Sequence, residues 1–146
     1  MDLHPNARLT TERLHLRPLD AADAPVLVDA LGRYDVARWL IAKPYPFELL
    51  DAGAMIDAAR IGQSWLAWDN KRLVGGVSVE NGLGFWVSRP DWGQGYGTEM
   101  ARAATQAFVR LTPEKALLAG AMTTNAASIR VLEKSGFGCL GHDTAW

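Results

Sequence analysis

The residues with the clearest chemical potential lie between Gly84 and Glu99, in the run GFWVSRPDWGQGYGTE. Phe85-Trp86-Val87 is an aromatic and β-branched stretch of strand type, Pro90 breaks it, glycines stand at 93, 95 and 97, and a helical pattern follows at once. The first backbone N–H groups of a helix lack internal partners and carry partial positive charge, so a glycine turn before them can hold a phosphate at close range. The same glycines would also serve a plain strand-to-helix turn. A Walker A loop needs a lysine after its last glycine, and Tyr96-Gly97-Thr98 supplies none; the dinucleotide fingerprint GxGxxG needs a third glycine where Thr98 stands. Metal chemistry has little support, because Cys139 is the only cysteine and His4, His15 and His142 are scattered.

The elements that must position this loop can be read from both sides of it. Thr10 to Leu19 alternates Leu14 and Leu16 against Arg13, His15 and Arg17, the period of a half-buried strand. Asp20 or Asp23 can cap the helix that follows, and Pro25 favours the later start. Asp35 to Ile41 reads as a second short helix, and Leu49, Ala52, Ile56 and Ala59 recur at helical spacing. Ser64–Asp69 and Arg72–Val79 read as a hairpin turning at Asp69-Asn70-Lys71, and Asn81-Gly82 leads into the Phe85-Trp86-Val87 strand. Downstream, Met100, Ala103, Ala104, Ala107, Phe108 and Leu111 form one helix face, and Thr112-Pro113 stops that helix. Ala116 to Met122 suits a central strand buried on both faces. Thr124 or Asn125 caps a last helix that ends at Gly136 with Phe137 behind it.

At 146 residues and 49% hydrophobic content, the whole chain, 1–146, is expected to form one α+β domain. A net charge of −1 and a pI near 6.3 give no polybasic footprint for nucleic acid or for an anionic membrane. No apolar run approaches membrane-spanning length and no secretory leader opens the chain, so a cytoplasmic protein is the expectation.

Two motifs in order, Trp92-Gly93-Gln94-Gly95-Tyr96-Gly97-Thr98-Glu99 after Gly84-Phe85-Trp86-Val87, and then Asn125, Ser128, Leu132-Glu133-Lys134 and Gly136-Phe137, resemble the GCN5-related N-acetyltransferases (GNAT). Within that superfamily they are most similar to the branch that acetylates ribosomal-protein N-termini, the RimJ and RimL type. The resemblance implies a mixed, mostly antiparallel sheet flanked by helices, with a splayed strand pair that receives acetyl-CoA as co-substrate. It implies an acceptor that is a primary amine: a protein N-terminus, a polyamine or a small molecule. By the same resemblance the pyrophosphate lies on the N–H groups of Gln94 to Thr98, with Trp92 and Gly93 leading into them, and Val87 and Ser88 offer backbone contacts to the pantetheine arm. Asn125 either binds that arm or only caps its helix.

Many members of the family place a tyrosine where Leu132 stands, to protonate the leaving thiolate. Ser128, on the NxxS part of the motif, is the hydroxyl offered instead, or is only a polar first-turn residue. Glu80 can act as general base through water, or is solvated surface, whereas Glu99 in the first helical turn reads as structural. An α-amine needs little help, since roughly a tenth is already neutral at pH 7, while a lysine side chain must give up roughly 4 to 5 kcal/mol. Trp39, Tyr45 and Phe47 fall where the family walls its acceptor site, or are core. The family fold closes with a two-strand hairpin, and Gly138 to Trp146 can supply one strand. The other is then absent, lies outside this sequence, or comes from a second copy in a homodimer. A CoA-binding module of the same fold that transfers acetyl weakly or not at all is the alternative reading.

Overall fold

The computed structural model describes residues 8–33, 36, 46–60, 63–80, 82–120 and 125–138. Five strands form one antiparallel sheet in sequence order: β1 (Leu9–Thr10), β2 (His15–Arg17), β3 (Ser64–Asp69), β4 (Arg72–Ser78) and β5 (Gly84–Val87). Helices α1 (Ala24–Leu31) and α2 (Leu49–Ala58) pack on one face. Helices α3 (Tyr96–Leu111) and α4 (Ala126–Lys134) lie on the other side, packed against the second core cluster. The alternation of β3 divides the core accordingly: Trp65 and Ala67 join the α3 cluster, and Leu66 and Trp68 join the α1–α2 cluster. A register shift opposite Ala67 and Trp68 leaves Val74 as the extra residue of β4.

The expected strand Thr10 to Leu19 is instead a small hairpin. Leu14 and Leu16 are buried as the alternation requires, but the Thr11 N–H donates to the Leu14 carbonyl at 2.9 Å and the Leu14 N–H to the Thr11 hydroxyl at 3.0 Å, closing a turn that folds β1 back on β2. After β2, Asp20 caps a 3-10 turn at Ala21–Asp23, and α1 starts next to it with Pro25 in its first turn. Buried Asp23 accepts both arms of Arg17, at 3.0 and 2.9 Å. The β3–β4 hairpin turns on Asn70, at φ 59.

Helix α3 buries Tyr96, Gly97, Met100, Ala101, Ala104 and Ala107, and the glycine and alanines of that stripe bring it close to the sheet, while Leu111 at its end is exposed. Helix α4 ends as expected: Gly136 at φ 94 donates to the Glu133 carbonyl and Phe137 to that of Leu132, the double bond of a Schellman cap, with Phe137 packed on the core.

The segment expected as a doubly buried strand, Ala116 to Met122, differs from that reading over its described part. Leu83 pairs with Ala119 in a single parallel bridge, the Leu83 N–H donating to the Leu118 carbonyl at 2.7 Å, and Leu118 is 60% exposed. It pairs with the sheet at one point at the start of β5, and one side of it is covered: Leu117 and Ala119 are half-buried against the core while Leu118 faces out. In α2, Leu49 is exposed although its spacing placed it inward, because it is the first helical residue and precedes the stripe carried by Ala52 and Ile56. Phe47 is core. The expected helix Asp35 to Ile41 apart from buried Val36, Trp39 and Tyr45, Cys139 and the last strand lie outside the described residues. Among the described residues, no helix is long and apolar enough to cross a membrane.

Candidate functional site

The parity of β5 sets the geometry of the site. Along this strand, Ser88 turns its N–H toward β4, donating to the Val74 carbonyl at 2.8 Å, while Leu83 turns outward to Leu118. Successive residues alternate, so the main-chain groups of Phe85 and Val87 also face the outer edge, away from β4. The Val87 carbonyl accepts the Trp92 indole N–H at 2.8 Å, and Trp92 carries the Arg89 guanidinium over its ring at 4.5 Å. The outward N–H groups of Phe85 and Val87 have no partner among the described residues.

Strand β5 runs through a 3-10 turn, Arg89–Asp91, into the glycine loop. Gly93 and Gly95 both have positive φ, 77 and 82, which is where the chain needs glycine. Gly95 is the N-cap of α3 and no side chain caps that end. The first inward bond is from the Glu99 N–H to the Gly95 carbonyl at 3.1 Å, so the N–H groups of Tyr96, Gly97 and Thr98 have no intrahelical partner. Gly97 has a packing reason: a Cβ there would stand 3.3 Å from Val131 Cγ2 and 3.5 Å from Val87 Cγ2.

A cavity of about 340 Å3 lies between the outer edge of β5, the start of α3 and the start of α4. Of the residues singled out by the sequence, Val87, Trp92, Gly95, Gly97, Thr98, Asn125 and Ser128 line it. Asn125 caps α4, its Oδ1 accepting the Ser128 N–H at 3.2 Å, and its amide nitrogen makes no hydrogen bond among the described residues. Ser88 is not brought to this cavity; it is buried, and its hydroxyl donates to the Leu73 carbonyl at 3.3 Å. Gly93 and Gln94 are exposed ahead of it, the Gln94 amide reaching the Pro90 carbonyl at 3.4 Å. Tyr96 contributes main chain alone, since its ring is buried and its hydroxyl donates to Asp69 at 2.8 Å. That bond, with burial, raises the phenol above its ordinary pKa. Leu132, half-buried, packs on the core.

Thr11 and Arg13, whose roles the sequence reading did not find, hold the loop in place through Glu99, which it read as structural. Glu99 accepts from the Thr11 hydroxyl, from the Arg13 N–H at 2.9 Å and from Arg13 Nε at 2.7 Å, tying the β1–β2 turn to α3. Burial works to raise the Glu99 pKa, but the bonds from Thr11 and Arg13 outweigh it and hold the carboxyl below its ordinary range. Arg13 also lies over the Tyr96 ring at 4.1 Å. Arg72 joins Asp69 and buried Asp91 beneath the same loop.

A second cavity, of about 430 Å3, opens on the α1–α2 face of the sheet, walled by Met55 and Ala59 on one side and by Phe85 and Trp86 on the other. Phe85 and Trp86 line both cavities, so β5 is the partition between them. Gly76 permits this arrangement, because the Trp86 indole lies where its Cβ would be, at 2.6 Å. Glu80 is on the wall of the second cavity and is not plain solvated surface: its Oε2 accepts from the Ser64 hydroxyl and from the Arg60 N–H at 3.0 Å. Among the described residues, no group of three His, Cys, Asp or Glu could hold a metal ion.

The family model described as acetyltransferase (GNAT) domain matches residues 13–138. No curated protein sequence matches the chain. Among solved structures, an acetyltransferase of the GNAT family from Bacillus anthracis aligns with a TM-score of 0.79 at 19% identity, covering 92% of this chain and 85% of that one. A ribosomal-protein-S5-alanine acetyltransferase from Vibrio fischeri aligns at 0.75 and 16% identity, covering 92% and 84%. The RimL ribosomal L7/L12 α-N-protein acetyltransferase in complex with coenzyme A aligns at 0.70 and 17%, covering 88% and 82%. At these identities the likeness is one of fold.

Proposed function

Because the chain belongs to the GNAT acetyltransferase family, we propose that it is an N-acetyltransferase that moves the acetyl group of acetyl-CoA to a primary amine. One observation carries this reading: β5, whose outward N–H groups at Phe85 and Val87 have no partner among the described residues, separates two cavities and runs into an uncapped helix start. Acetyl-CoA, as co-substrate, supplies the activated acetyl group. The cavity at α3 and α4 suits it, since an amide-bearing arm can pair with an open strand edge and a pyrophosphate with the N–H groups of Tyr96, Gly97 and Thr98. Val87 offers its N–H, its carbonyl being held by Trp92, and Ser88 is turned to β4. The Asn125 amide is a further donor at the same wall.

The second cavity takes the acceptor amine. Glu80 there receives the proton that the amine gives up as its nitrogen bonds to the acetyl carbon and the carbon–sulfur bond breaks. Ser128, half-buried on the donor side near the start of α4, gives the departing thiolate its proton and is reprotonated from solvent. The positive end of α4 favours negative sulfur at that place. RimL is by its name an α-N-protein acetyltransferase, and a protein or peptide α-amine is the acceptor we infer here, because it needs the least help to become neutral.

A second reading, a module that holds the donor and transfers weakly, is favoured by one residue, Leu132, which has no proton to give. A panel of a peptide α-amine, a polyamine and a lysine side chain separates the two. Thiol release from acetyl-CoA that depends on the peptide amine supports transfer. Donor binding with no amine-dependent thiol release supports the module.

A further inference from the structure

We propose that Ser64 and Ser78 are positioning residues for the Glu80 carboxylate, which they hold through a closed ring of hydrogen bonds; this rests on the reading of Glu80 as the proton acceptor. Ser64 and Ser78 are cross-strand partners at the open end of β3 and β4, with hydroxyl oxygens 2.9 Å apart. The Glu80 N–H donates to Ser78 Oγ at 3.2 Å, and Glu80 Oε2 accepts from the Ser64 hydroxyl. A hydroxyl has one proton to give and two lone pairs to accept with. If the Ser64 proton goes to the carboxylate, the Ser78 proton is the one that bridges the two serines. The ring then closes with every donor used once: Glu80 N–H to Ser78, Ser78 O–H to Ser64, Ser64 O–H to Glu80. Each bond polarises the next, so the three are stronger together than singly.

The ring decides which carboxylate oxygen is available. Oε2 takes both the Ser64 hydroxyl and the Arg60 N–H, while Oε1 accepts no hydrogen bond among the described residues. Ser64 is only 7% exposed, so the anchoring donor is fixed in the sheet rather than borrowed from solvent. Of the described residues that α2, β3, β4 and β5 present to this cavity, none but Glu80 is titratable, and Arg60 meets it through main chain. Without the Ser64 hydroxyl the carboxylate loses its fixed anchor and can swing away from the cavity.

The test uses the full chain with Ser64→Ala, Ser64→Thr, Ser78→Ala and Glu80→Gln. The carbon-13 signal of the Glu80 side-chain carboxyl, compared at one fixed neutral pH, reads its hydrogen bonding without catalysis, and amine turnover is measured in parallel. Ser64→Ala is expected to move that carboxyl signal, because a hydrogen-bond donor to Oε2 is lost, and to slow turnover on the order of tenfold through lost orientation. Ser78→Ala moves it the same way by less, and Ser64→Thr, which keeps the hydroxyl, restores both. If Glu80→Gln slows turnover but the carboxyl signal and the rate stay put in Ser64→Ala and Ser78→Ala, the ring is wrong and the acceptor reading stands. If Glu80→Gln turns over as fast as the parent, the acceptor reading falls and the positioning role falls with it.

Discussion

Replacing Gly97 with alanine is expected to leave the fold nearly as stable while weakening acetyl-CoA binding at least tenfold. Gly97 sits in the first turn of α3, where its conformation is one that alanine adopts freely. Alanine is better than glycine in a helix by about 1 kcal/mol. Against that gain, the new methyl would meet Val131 at 3.3 Å and Val87 at 3.5 Å, with Phe85 at 3.8 Å. These are close contacts with side-chain ends, and half-buried Val131 can give by a few tenths of an ångström, so the packing cost belongs at the low end of about 1–3 kcal/mol. The net change is about 1 kcal/mol or less, and the melting temperature moves by about 2–4 °C at most. Binding responds differently, because Gly97, Val87 and Val131 all line the donor cavity. A methyl among them narrows the passage between β5 and α4 along which the donor's arm must lie, and a tenfold loss corresponds to about 1.4 kcal/mol. Calorimetric titration with acetyl-CoA beside a thermal melt checks both halves. Parental affinity in Gly97→Ala would refute the assignment of this cavity to the donor, and a melting temperature lowered far beyond that range would refute the packing argument.

Two further outcomes follow from the same geometry. Ser128→Ala is expected to lower the single-turnover rate at saturating acetyl-CoA by about 10²–10⁴-fold with little change in affinity; an undiminished rate would mean that solvent protonates the thiolate. The bonds from Thr11 and Arg13 hold the Glu99 carboxyl below its ordinary value of 4.5, so its stabilisation is complete above that pH and disappears as the pH falls through the lower folded value. Glu99→Gln is therefore expected to cost about 1–3 kcal/mol at neutral pH and to lose less than the parent on acidification. Parallel melting-temperature curves for the two proteins down to about pH 3 would remove the clasp as the cause.

What was legible in the sequence was local. The glycine loop, the helix it opens, the Asn70 turn and the Gly136-Phe137 cap each rest on residues within a few positions of one another, where backbone chemistry decides the outcome. The clasp of Thr11 and Arg13 on Glu99 spans 88 and 86 residues, and no spacing rule reaches that far. It is also why Thr10 to Leu19 is a hairpin: the alternation of Leu14 and Leu16 was read correctly for burial but carries no information on a turn pinned from α3. Val87 and Ser88 were expected to serve the donor together, yet neighbours on a strand face opposite edges, and only the pairing of β5 with β4 decides which one faces out. Trp92 was placed by its motif, but its indole bond to the Val87 carbonyl had no signal in the sequence. The ring at Glu80 likewise depends on a cross-strand register, Ser64 opposite Ser78, that two isolated serines do not announce.

The central claim is that β5 separates a donor site from an acceptor site, and residue-by-residue amide shift mapping with each ligand in turn tests it most directly. Acetyl-CoA is expected to move the amide signals of Phe85, Val87, Tyr96, Gly97, Thr98 and Ser128 while leaving Ser64 and Glu80 nearly unmoved. A peptide amine added to the complex with coenzyme A is expected to move Ser64, Ser78 and Glu80. Acetyl-CoA shifts centred on Ser64 and Glu80, with Val87 and the start of α3 silent, would contradict the account.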